Sequence, residues 1–362
     1  MIKNQSQSIL KDRWLILIAL TIVMITAWNS RLTLFPKYIT HWPTDDWQWV
    51  ESDKLGLDSH MLQDMIEDIM GSSHAVDSVL VVKDSYLVSE WYFNDYGNDI
   101  LHNIYSCTKS VTSTLIGIAI DHGDIESVDT RLIDLLPDYT PQNMSDWKES
   151  ITLRDLLMMS AGYDARDSWL YQWERLDEMH EAEDALQYML DLPMAFEPGT
   201  RFEYTNGVSH ILSCIITEKT GVSAADYADE HLFGPLGITN YLWETDKMGR
   251  NWGYSGLYMR PRDMAKIGYL FLKEGQWDGH QIVSKHWVRE ATQRRIDGNL
   301  RDGYGYQWWT DNDGYYLAIG YMGQFIFVIP EHHIITVFTG GTRETFDYSI
   351  QLPERYIIPA AE

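Results

Sequence analysis

The chain has 362 residues, enough for one large or two modest domains, and 45% of them are hydrophobic, which allows a sizeable buried core. Its formal net charge of −25 argues against nucleic-acid binding, because that binding depends on basic side chains that neutralise phosphates. The two cysteines, Cys107 and Cys214, are too few for a disulfide framework, and we expect both to be small buried hydrophobic residues.

The N-terminal segment has the features of a membrane anchor. Basic residues precede an uncharged, almost wholly apolar run from Trp14 to Trp28, and no convincing small-residue cleavage site follows it. We therefore expect residues 1–35 to form a cytoplasmic tail and an uncleaved anchor, with a cleaved signal peptide as the alternative. The basic flank predicts that the remainder lies on the extracytoplasmic side. Residues 36–56, which are rich in Trp, Pro and Asp, are predicted to be a linker.

Hydrophobic spacing divides the rest of the chain into three parts. The first has a helical pattern over residues 60–70 and a strand–turn–strand pattern over residues 78–93. The middle part, residues 106–268, is mainly helical with long loops. The last part returns to short strands before a final helix from Arg343, and the strands cover residues 304–309, 315–319, 324–329 and 334–338.

These patterns predict an α+β fold in which strands from both ends of the chain share one antiparallel sheet. Residues 57–100 and 275–362 would form the sheet lobe, with helices near both ends. Residues 101–274 would form an inserted, mainly helical lobe. The helix that begins near Ser106 would then lie at the seam between the lobes, where ligand sites often form.

The pattern Ser-x-x-Lys occurs three times, beginning at Ser8, Ser106 and Ser145, but only Ser106 opens a long helical pattern. Residues three apart on a helix share a face, so the Lys109 ammonium can lie beside the Ser106 hydroxyl. The helix N-terminus adds N–H groups where an oxyanion would form, and a serine needs such activation to act as a nucleophile. A helix-capping serine followed by a solvated lysine is the alternative.

A second candidate motif is Tyr204-Thr205-Asn206, which follows a Pro-Gly turn and precedes a helical run. A tyrosine phenol has an ordinary pKa of about 10 and is a poor base, but a nearby ammonium lowers that pKa. Tyr204 and Lys109 together could therefore move the Ser106 proton. A buried tyrosine beside an asparagine turn is the alternative.

The third candidate motif is Gly320-Tyr321-Met322-Gly323-Gln324, between two predicted strands. Its glycines would let a substrate approach the backbone closely. The backbone N–H of Gln324 could then pair with that of Ser106 as an oxyanion hole. An ordinary glycine turn is the alternative.

Other catalytic patterns are missing from the sequence. It has no Gly-x-Ser-x-Gly motif, since Gly253-Tyr-Ser-Gly-Leu fails at its last position, and no His-Glu-x-x-His motif. It also lacks a phosphate-binding glycine loop, and its histidines show no metal-ligand spacing. We therefore expect no metal and no organic cofactor.

In this order, the three motifs resemble those of the serine β-lactamase-related hydrolases, which include class C β-lactamases, penicillin-binding DD-peptidases and related esterases. Within that superfamily the chain is most similar to the group containing 6-aminohexanoate-dimer hydrolase. The resemblance covers roughly residues 60–345 and implies a β-lactamase/DD-peptidase-like fold. The supporting stretches are residues 106–113, 156–162, 235–238, 262–268, 304–309 and 320–324.

The resemblance implies a role for each motif residue. Ser106 would be the acylated nucleophile, with Lys109 and Tyr204 as the proton-transfer pair, the base being either one. Asn206 would orient the substrate. The backbone N–H groups of Ser106 and Gln324 would bind the oxyanion.

The third motif departs from the family pattern. Tyr321-Met322-Gly323 stands where class C β-lactamases and DD-peptidases carry Lys-Thr-Gly or Lys-Ser-Gly, or where relatives carry His-x-Gly. The missing cation would have met a substrate carboxylate, so the departure favours an esterase or amidase with a different substrate. Trp308, Trp309 and Tyr321 are candidates for an aromatic substrate pocket, with a place in the core as the alternative.

The sequence therefore predicts an extracytoplasmic serine hydrolase acting on a small-molecule amide, ester or peptide. A β-lactamase or DD-peptidase is the first alternative, and a catalytically silent envelope sensor that binds peptidoglycan fragments or β-lactams is the second. We expect loops within residues 163–200 and 240–262 to set specificity. The sequence predicts no oligomeric state.

Overall fold

The computed structural model describes residues 41–165 and 174–362. The predicted membrane segment and the first part of the predicted linker lie outside these residues. Across the two described ranges, every helix is too short or too polar to cross a membrane.

The regular elements of the described residues are numbered here in chain order. The strands are β1 Gln48–Trp49, β2 Val76–Lys83, β3 Tyr86–Tyr92, β4 His102–Asn103, β5 Tyr241–Trp243, β6 Leu257–Met259, β7 Gln276–Trp277, β8 His280–Gln281, β9 Ile296–Asp297, β10 Gly303–Tyr304, β11 Trp309–Thr310, β12 Tyr316–Gly320, β13 Gln324–Ile329 and β14 Ile334–Gly340. The α-helices are α1 Ser59–Gly71, α2 Thr108–His122, α3 Leu132–Leu135, α4 Asp146–Ser150, α5 Leu153–Leu157, α6 Glu174–Glu181, α7 Ala185–Asp191, α8 Asn206–Thr220, α9 Ala224–Ala228, α10 Gly234–Leu236, α11 Pro261–Leu272, α12 Lys285–Thr292, α13 Arg343–Ser349 and α14 Ile358–Ala360.

The main sheet of the described residues has nine strands in the order β1-β3-β2-β14-β13-β12-β11-β10-β9. Neighbouring strands are antiparallel, except that β1 runs parallel to β3. Strands β1–β3 precede the long middle segment and β9–β14 follow it. The predicted α+β fold, with one sheet built from both ends of the chain, is therefore confirmed.

The centre of the sheet is formed by β2, β13 and β14, whose Val, Ile and Phe side chains are buried on both faces. Helix α11 packs against these three strands. At Gly268 the helix lies so close that a Cβ would come within 2.8 Å of Ile335 Cγ2 and 2.9 Å of Ile326 Cγ2. A glycine at this position therefore lets α11 approach the sheet.

Two segments pack in a way that the predicted domain boundaries do not anticipate. Helix α11 lies within the predicted inserted lobe, residues 101–274, and packs on the sheet. The described part of the predicted linker, residues 36–56, is also part of the fold, since β1 extends the sheet and Trp47 is buried. The indole Nε1 of Trp47 donates a hydrogen bond to the carbonyl of Arg262 at 3.0 Å. All these segments belong to one compact unit, Trp42–Glu362.

The predicted strand 304–309 is also divided. Its two ends, β10 and β11, pair with each other across a turn in which Gln307 has a φ of +62°. The Gln307 side chain is buried, accepts a hydrogen bond from Ser209 Oγ at 2.6 Å and donates one to the carbonyl of Leu157 at 2.9 Å. These helical partners stabilise a turn where the apolar pattern alone indicated a continuous strand.

The prediction for the two cysteines is confirmed. Cys107 and Cys214 are both buried and unlinked. Burial raises the pKa of each thiol above its ordinary value, so neither is poised as a thiolate nucleophile.

Candidate active site

Ser106 lies in a single 3-10 turn, Tyr105–Cys107, that leads from β4 directly into α2. Tyr105 has a φ of +45°, a left-handed conformation that few non-glycine residues adopt. Its backbone N–H donates to Asn103 Oδ1 at 2.9 Å, which helps to hold the turn. The turn presents Ser106 at the N-terminal end of α2, two residues before the helix begins, where backbone N–H groups lack helical partners.

The Ser and Thr side chains that follow Lys109 anchor α2 inside the protein. Ser110 Oγ donates to the carbonyl of Gln307 at 2.7 Å, and Thr112 Oγ1 donates to the carbonyl of Gly253 at 2.9 Å. Both hydroxyls are buried. The polar residues of this stretch therefore tie the nucleophile helix to the segments on either side of it.

Lys109 is only 1% exposed, and its ammonium lies at the centre of the site. Nζ donates hydrogen bonds to Ser106 Oγ at 2.9 Å, to Asn206 Oδ1 at 2.7 Å and to the carbonyl of Tyr254 at 3.2 Å. It also lies 4.7 Å from the ring centroid of Tyr204 and 5.4 Å from that of Tyr254. These contacts fix the Lys109 amino group beside the serine hydroxyl.

The Tyr-x-Asn motif lies where the chain enters α8. Asn206 is the first residue of that helix and is buried, whereas Tyr204 lies in the preceding loop and is half-buried. The Tyr204 ring stacks on Trp309 at a centroid distance of 5.8 Å and meets the edge of Tyr304 at 6.5 Å. The structure therefore brings both motif residues to Lys109, from nearly a hundred residues away in the sequence.

The glycine-flanked turn between β12 and β13 lies against the Ser106 turn. A Cβ on Gly320 would come within 2.3 Å of the carbonyl oxygen of Ile104, so a glycine allows this close approach. Gln324 is buried, its Nε2 donates to the carbonyl of Gly340 at 2.7 Å, and its own carbonyl accepts from Cys107 Sγ at 3.5 Å. The Gln324 main chain thus lies beside the residue after Ser106. An oxyanion role for its N–H stays a prediction.

A cavity of about 300 Å³ opens over Ser106, large enough for a small-molecule substrate. The side chains that line it are mostly aromatic or polar: Tyr105, Ser106, Leu176, Asp177, Tyr204, Asn206, Tyr254, Ser255 and Tyr321. Tyr321 is 48% exposed at the mouth and meets the edge of Tyr105 at 5.7 Å. In the described ranges, no cluster of three or more His, Cys, Asp or Glu side chains could hold a metal ion.

Sequence reasoning missed five of these lining residues, Tyr105, Leu176, Asp177, Tyr254 and Ser255. All except Tyr105 come from the two loop regions that were expected to shape specificity. No motif marks them individually, because they reach the cavity through tertiary packing. Tyr254 and Ser255 entered the sequence analysis only as part of a stretch that fails the Gly-x-Ser-x-Gly motif.

One predicted substrate contact is wrong. Trp308 has 0% exposure and packs in the core against Phe271 at 4.4 Å and Tyr316 at 5.6 Å between ring centroids. Its neighbour Trp309 lies behind Tyr204 and supports that ring. The β10–β11 turn, which the sequence pattern did not indicate, places the two tryptophans in these different environments.

His102, on the strand that leads into the Ser106 turn, makes folding stability depend on pH. It is 5% exposed and stacks on Tyr96 at 4.5 Å, and its Nε2 has no hydrogen-bond partner among the described residues. Burial lowers its pKa from 6.5 to about 4. The unfolded chain therefore takes up this proton at a higher pH than the folded protein, so stability is complete above pH 6.5 and falls as the pH drops towards 4.

We expect the His102 contribution to lower the free energy of unfolding by about 2 kcal/mol between pH 7 and pH 5. His102→Phe keeps the stacking ring but removes the titrating group, so it should lose correspondingly less stability over this range. Urea unfolding of both proteins at the two pH values measures the difference. The same pH dependence in both proteins would show that His102 does not cause it.

Comparisons with known proteins identify the family and the fold of this chain. A family model described as Beta-lactamase matches residues 62–348, a span that contains all three motifs. The 6-aminohexanoate-dimer hydrolase of Paenarthrobacter ureafaciens is 24% identical over 284 residues, which are 72% of this chain and 71% of that protein.

Two solved structures share the fold at low sequence identity. A penicillin-binding protein homologue from Caulobacter crescentus superposes with a TM-score of 0.70 at 14% identity, covering 86% of this chain and 98% of that one. EstCE1, a hydrolase with promiscuous acyltransferase activity, gives a TM-score of 0.70 at 15% identity, covering 86% and 99%. At these identities the two structures establish the common fold.

Proposed function

This chain belongs to the Beta-lactamase family, and we propose that it hydrolyses an amide or ester through an acyl-enzyme formed on Ser106. The family and the fold expected from the three motifs are both confirmed, as is the prediction of a β-lactamase-related hydrolase. One observation supports the acyl-enzyme in particular. Nζ of the buried Lys109 lies 2.9 Å from the hydroxyl of Ser106, which a 3-10 turn presents at the start of a helix.

The proposed reaction has two steps. Ser106 Oγ attacks the substrate carbonyl while its proton passes to the Lys109–Tyr204 pair, and the oxyanion accepts hydrogen bonds from the backbone N–H groups of Ser106 and Gln324. Collapse of the tetrahedral intermediate breaks the amide or ester bond, and the same proton goes to the leaving amine or alcohol. Water then attacks the acyl-serine and gives one proton to the pair, which passes it to Ser106 Oγ as the C–Oγ bond breaks and the carboxylic acid leaves.

The identity of the base is left open within this scheme. An ammonium cannot accept a proton, so either Lys109 is neutral when Ser106 attacks or an ionised Tyr204 accepts the proton while Lys109 stabilises the phenolate. Lys109 Nζ lies 4.7 Å from the Tyr204 ring centroid, so the two candidate bases are neighbours in the site.

The charge of the cavity supports a neutral or cationic substrate. Of the described residues that line it, Asp177 carries the formal charge, and neither lysine nor arginine contributes to the lining. A carboxylate on the substrate would meet neither lysine nor arginine among the described lining residues, in keeping with the departure from the Lys-Thr-Gly motif. An amino group at the far end of an amide or ester would instead meet the Asp177 carboxylate.

Asp177→Asn is therefore expected to weaken the binding of substrates that carry an amine. Asp177 is exposed, so the effect should be modest, a rise of about threefold in KM for the p-nitrophenyl ester of 6-aminohexanoate at low salt. The p-nitrophenyl ester of hexanoate, which lacks the amine, should keep its KM.

Glu178→Gln provides the matched control for Asp177→Asn. Glu178 lies next to Asp177 on α6, but its carboxylate pairs with Arg175 at 2.7 Å and it does not line the cavity. This variant should leave the KM values of both esters unchanged. Equal shifts for the two esters in Asp177→Asn would contradict recognition of the amine.

A panel of three substrates tests the proposed function against its rivals. The panel contains p-nitrophenyl acetate, the 6-aminohexanoate dimer and a chromogenic cephalosporin, each tested with the wild type and with Ser106→Ala. We expect hydrolysis of an ester or amide that depends on Ser106, with the cephalosporin a poor substrate. Rapid cephalosporin hydrolysis that is lost in Ser106→Ala would favour a β-lactamase. Ligand binding without turnover would favour the silent sensor.

We also propose an extracytoplasmic location for the catalytic unit. The support is the sequence pattern of basic residues followed by the apolar run Trp14–Trp28, which lies outside the described residues. Fractionation of the full-length chain, followed by protease treatment of intact cells, would test it.

A further inference from the structure

Helix α6 meets the segment Trp252–Ser255 beside the catalytic centre. His180 Nε2 forms a hydrogen bond with the Tyr254 hydroxyl, and the two rings stack with a centroid distance of 6.1 Å. Trp252 meets the edge of His180 at 4.9 Å and the edge of Tyr254 at 5.6 Å. The same helix contributes Leu176 and Asp177 to the cavity lining. His180 therefore connects one wall of the cavity to another.

Tyr254 in turn contacts the catalytic lysine in two ways. Its carbonyl accepts a hydrogen bond from Lys109 Nζ at 3.2 Å, and its ring centroid lies 5.4 Å from the same nitrogen. The Tyr254 ring also lines the cavity over Ser106. A displacement of this residue would therefore change both the surroundings of the ammonium and the shape of the cavity.

We propose that His180 is a positioning residue that holds Tyr254 against Lys109 and so keeps the ammonium aligned with Ser106; this inference rests on the proposed function. His180 acts through its hydrogen bond to the Tyr254 hydroxyl. It sets the rate of attack by Ser106 without contacting the serine. This effect requires the His180–Tyr254 hydrogen bond itself. Another contact that attaches α6 to the loop carrying Tyr254 should not produce it.

A second contact between the same segments provides the matched control. Lys247 Nζ donates to the carbonyl of Glu181 at 2.6 Å and lies 3.6 Å from the Glu183 carboxylate. It thus ties the end of α6 to the loop that carries Tyr254, but it does not touch a residue that lines the cavity. Lys247→Ala removes this tether and leaves the His180–Tyr254 hydrogen bond in place.

The test compares His180→Ala, Tyr254→Phe, the double variant, His180→Gln and Lys247→Ala. The two readouts are the rate constant of labelling by a fluorophosphonate, which reports the nucleophilicity of Ser106, and kcat/KM for p-nitrophenyl acetate. Each of His180→Ala and Tyr254→Phe removes one neutral, partly exposed hydrogen bond. We therefore expect the labelling rate constant and kcat/KM to fall by about fivefold in each variant. The double variant should be no slower than either single one.

The other two variants distinguish positioning from a structural role. His180→Gln, whose amide can replace the ring nitrogen, should recover part of the loss, and Lys247→Ala should label at the wild-type rate. Additive losses in the double variant, or an equal loss in Lys247→Ala, would overturn the inference. If His180→Ala does not fold, Tyr254→Phe removes the same hydrogen bond with the loss of one oxygen atom.

The outcomes also separate this inference from the proposed function. A wild type that is labelled and hydrolyses the ester, with His180→Ala and Tyr254→Phe unchanged, would overturn the positioning role alone. A wild type that is neither labelled nor active would overturn the proposed function and the inference with it.

Discussion

Replacing Ser106 with alanine is expected to lower kcat by at least about 10³-fold, because the variant lacks the oxygen that forms the acyl-enzyme. Ester hydrolysis by wild type and variant, corrected for the uncatalysed rate, measures this loss. In the variant, Lys109 Nζ loses the Ser106 hydroxyl as an acceptor but keeps Asn206 Oδ1 and the carbonyl of Tyr254. The variant should therefore fold normally.

Ser145→Ala is the matched control, because Ser145 begins another Ser-x-x-Lys sequence in the same chain. Its side chain caps α4 by accepting a hydrogen bond from the backbone N–H of Lys148 at 3.3 Å, and it does not line the cavity. Loss of this cap should cost about 1 kcal/mol of stability and leave kcat unchanged. Similar activity losses in Ser106→Ala and Ser145→Ala would contradict a nucleophilic role for Ser106.

Replacing Lys109 with methionine is the second large effect that we expect. The methionine keeps most of the buried volume but removes the nitrogen that contacts Ser106, Asn206 and Tyr254. Proton transfer by a positioned side chain contributes about 10² to 10⁴ in rate, so kcat/KM should fall by a factor in that range. Thermal unfolding, measured in parallel, shows whether the variant retains its fold.

Lys148→Met is the control for this lysine. Lys148 is as buried as Lys109, but it lies in α4, and its Nζ is 6.0 Å from the ring centroid of Tyr163. Removal of its charge should leave kcat/KM within about twofold of the wild type, since surface and core changes remote from a site seldom alter the chemistry. Activity retained by Lys109→Met would contradict the proposed proton-transfer pair.

The two Ser-x-x-Lys sequences within the described residues show why spacing alone could not identify the site. In the Ser145 sequence, the serine side chain accepts a hydrogen bond from the backbone N–H of Lys148, which is the arrangement of a helix N-cap. In the Ser106 copy it accepts from the lysine's side chain, because a 3-10 turn precedes the helix and Asn206 and Tyr254 hold the ammonium. The long helical run after Ser106 distinguishes its Ser-x-x-Lys sequence from the others. The order of the three motifs along the chain supports Ser106 as the candidate nucleophile.

Local patterns predicted much of the fold. The short β-branched or aromatic runs of β2, β3, β13 and β14 and the helical spacing of α1 and α2 are local features, so the positions of these elements were evident from the sequence. The turn at Asp84 and Ser85, with φ values of +49° and +76°, was also predicted. Elements that depend on distant partners, such as β1 and the β10–β11 turn, were not.

The cavity walls were beyond sequence reasoning for the same reason. Leu176 and Asp177 lie on a short helix whose composition resembles that of any solvated acidic segment. Tyr254 lies in a loop that Thr112 and Lys109 hold through its backbone carbonyls. Contacts of this kind leave no periodic signal. The residues of these walls therefore emerged only with the tertiary structure, which also places Trp308 in the core and not in the cavity lining.

The central claim is that Ser106 is an activated nucleophile, and intact mass after incubation with a fluorophosphonate tests it most directly. The wild type, Ser106→Ala and Ser145→Ala would be treated in parallel. The account predicts one adduct on the wild type and on Ser145→Ala and none on Ser106→Ala. An adduct on Ser106→Ala, or an unlabelled wild type that still hydrolyses the ester, would contradict it.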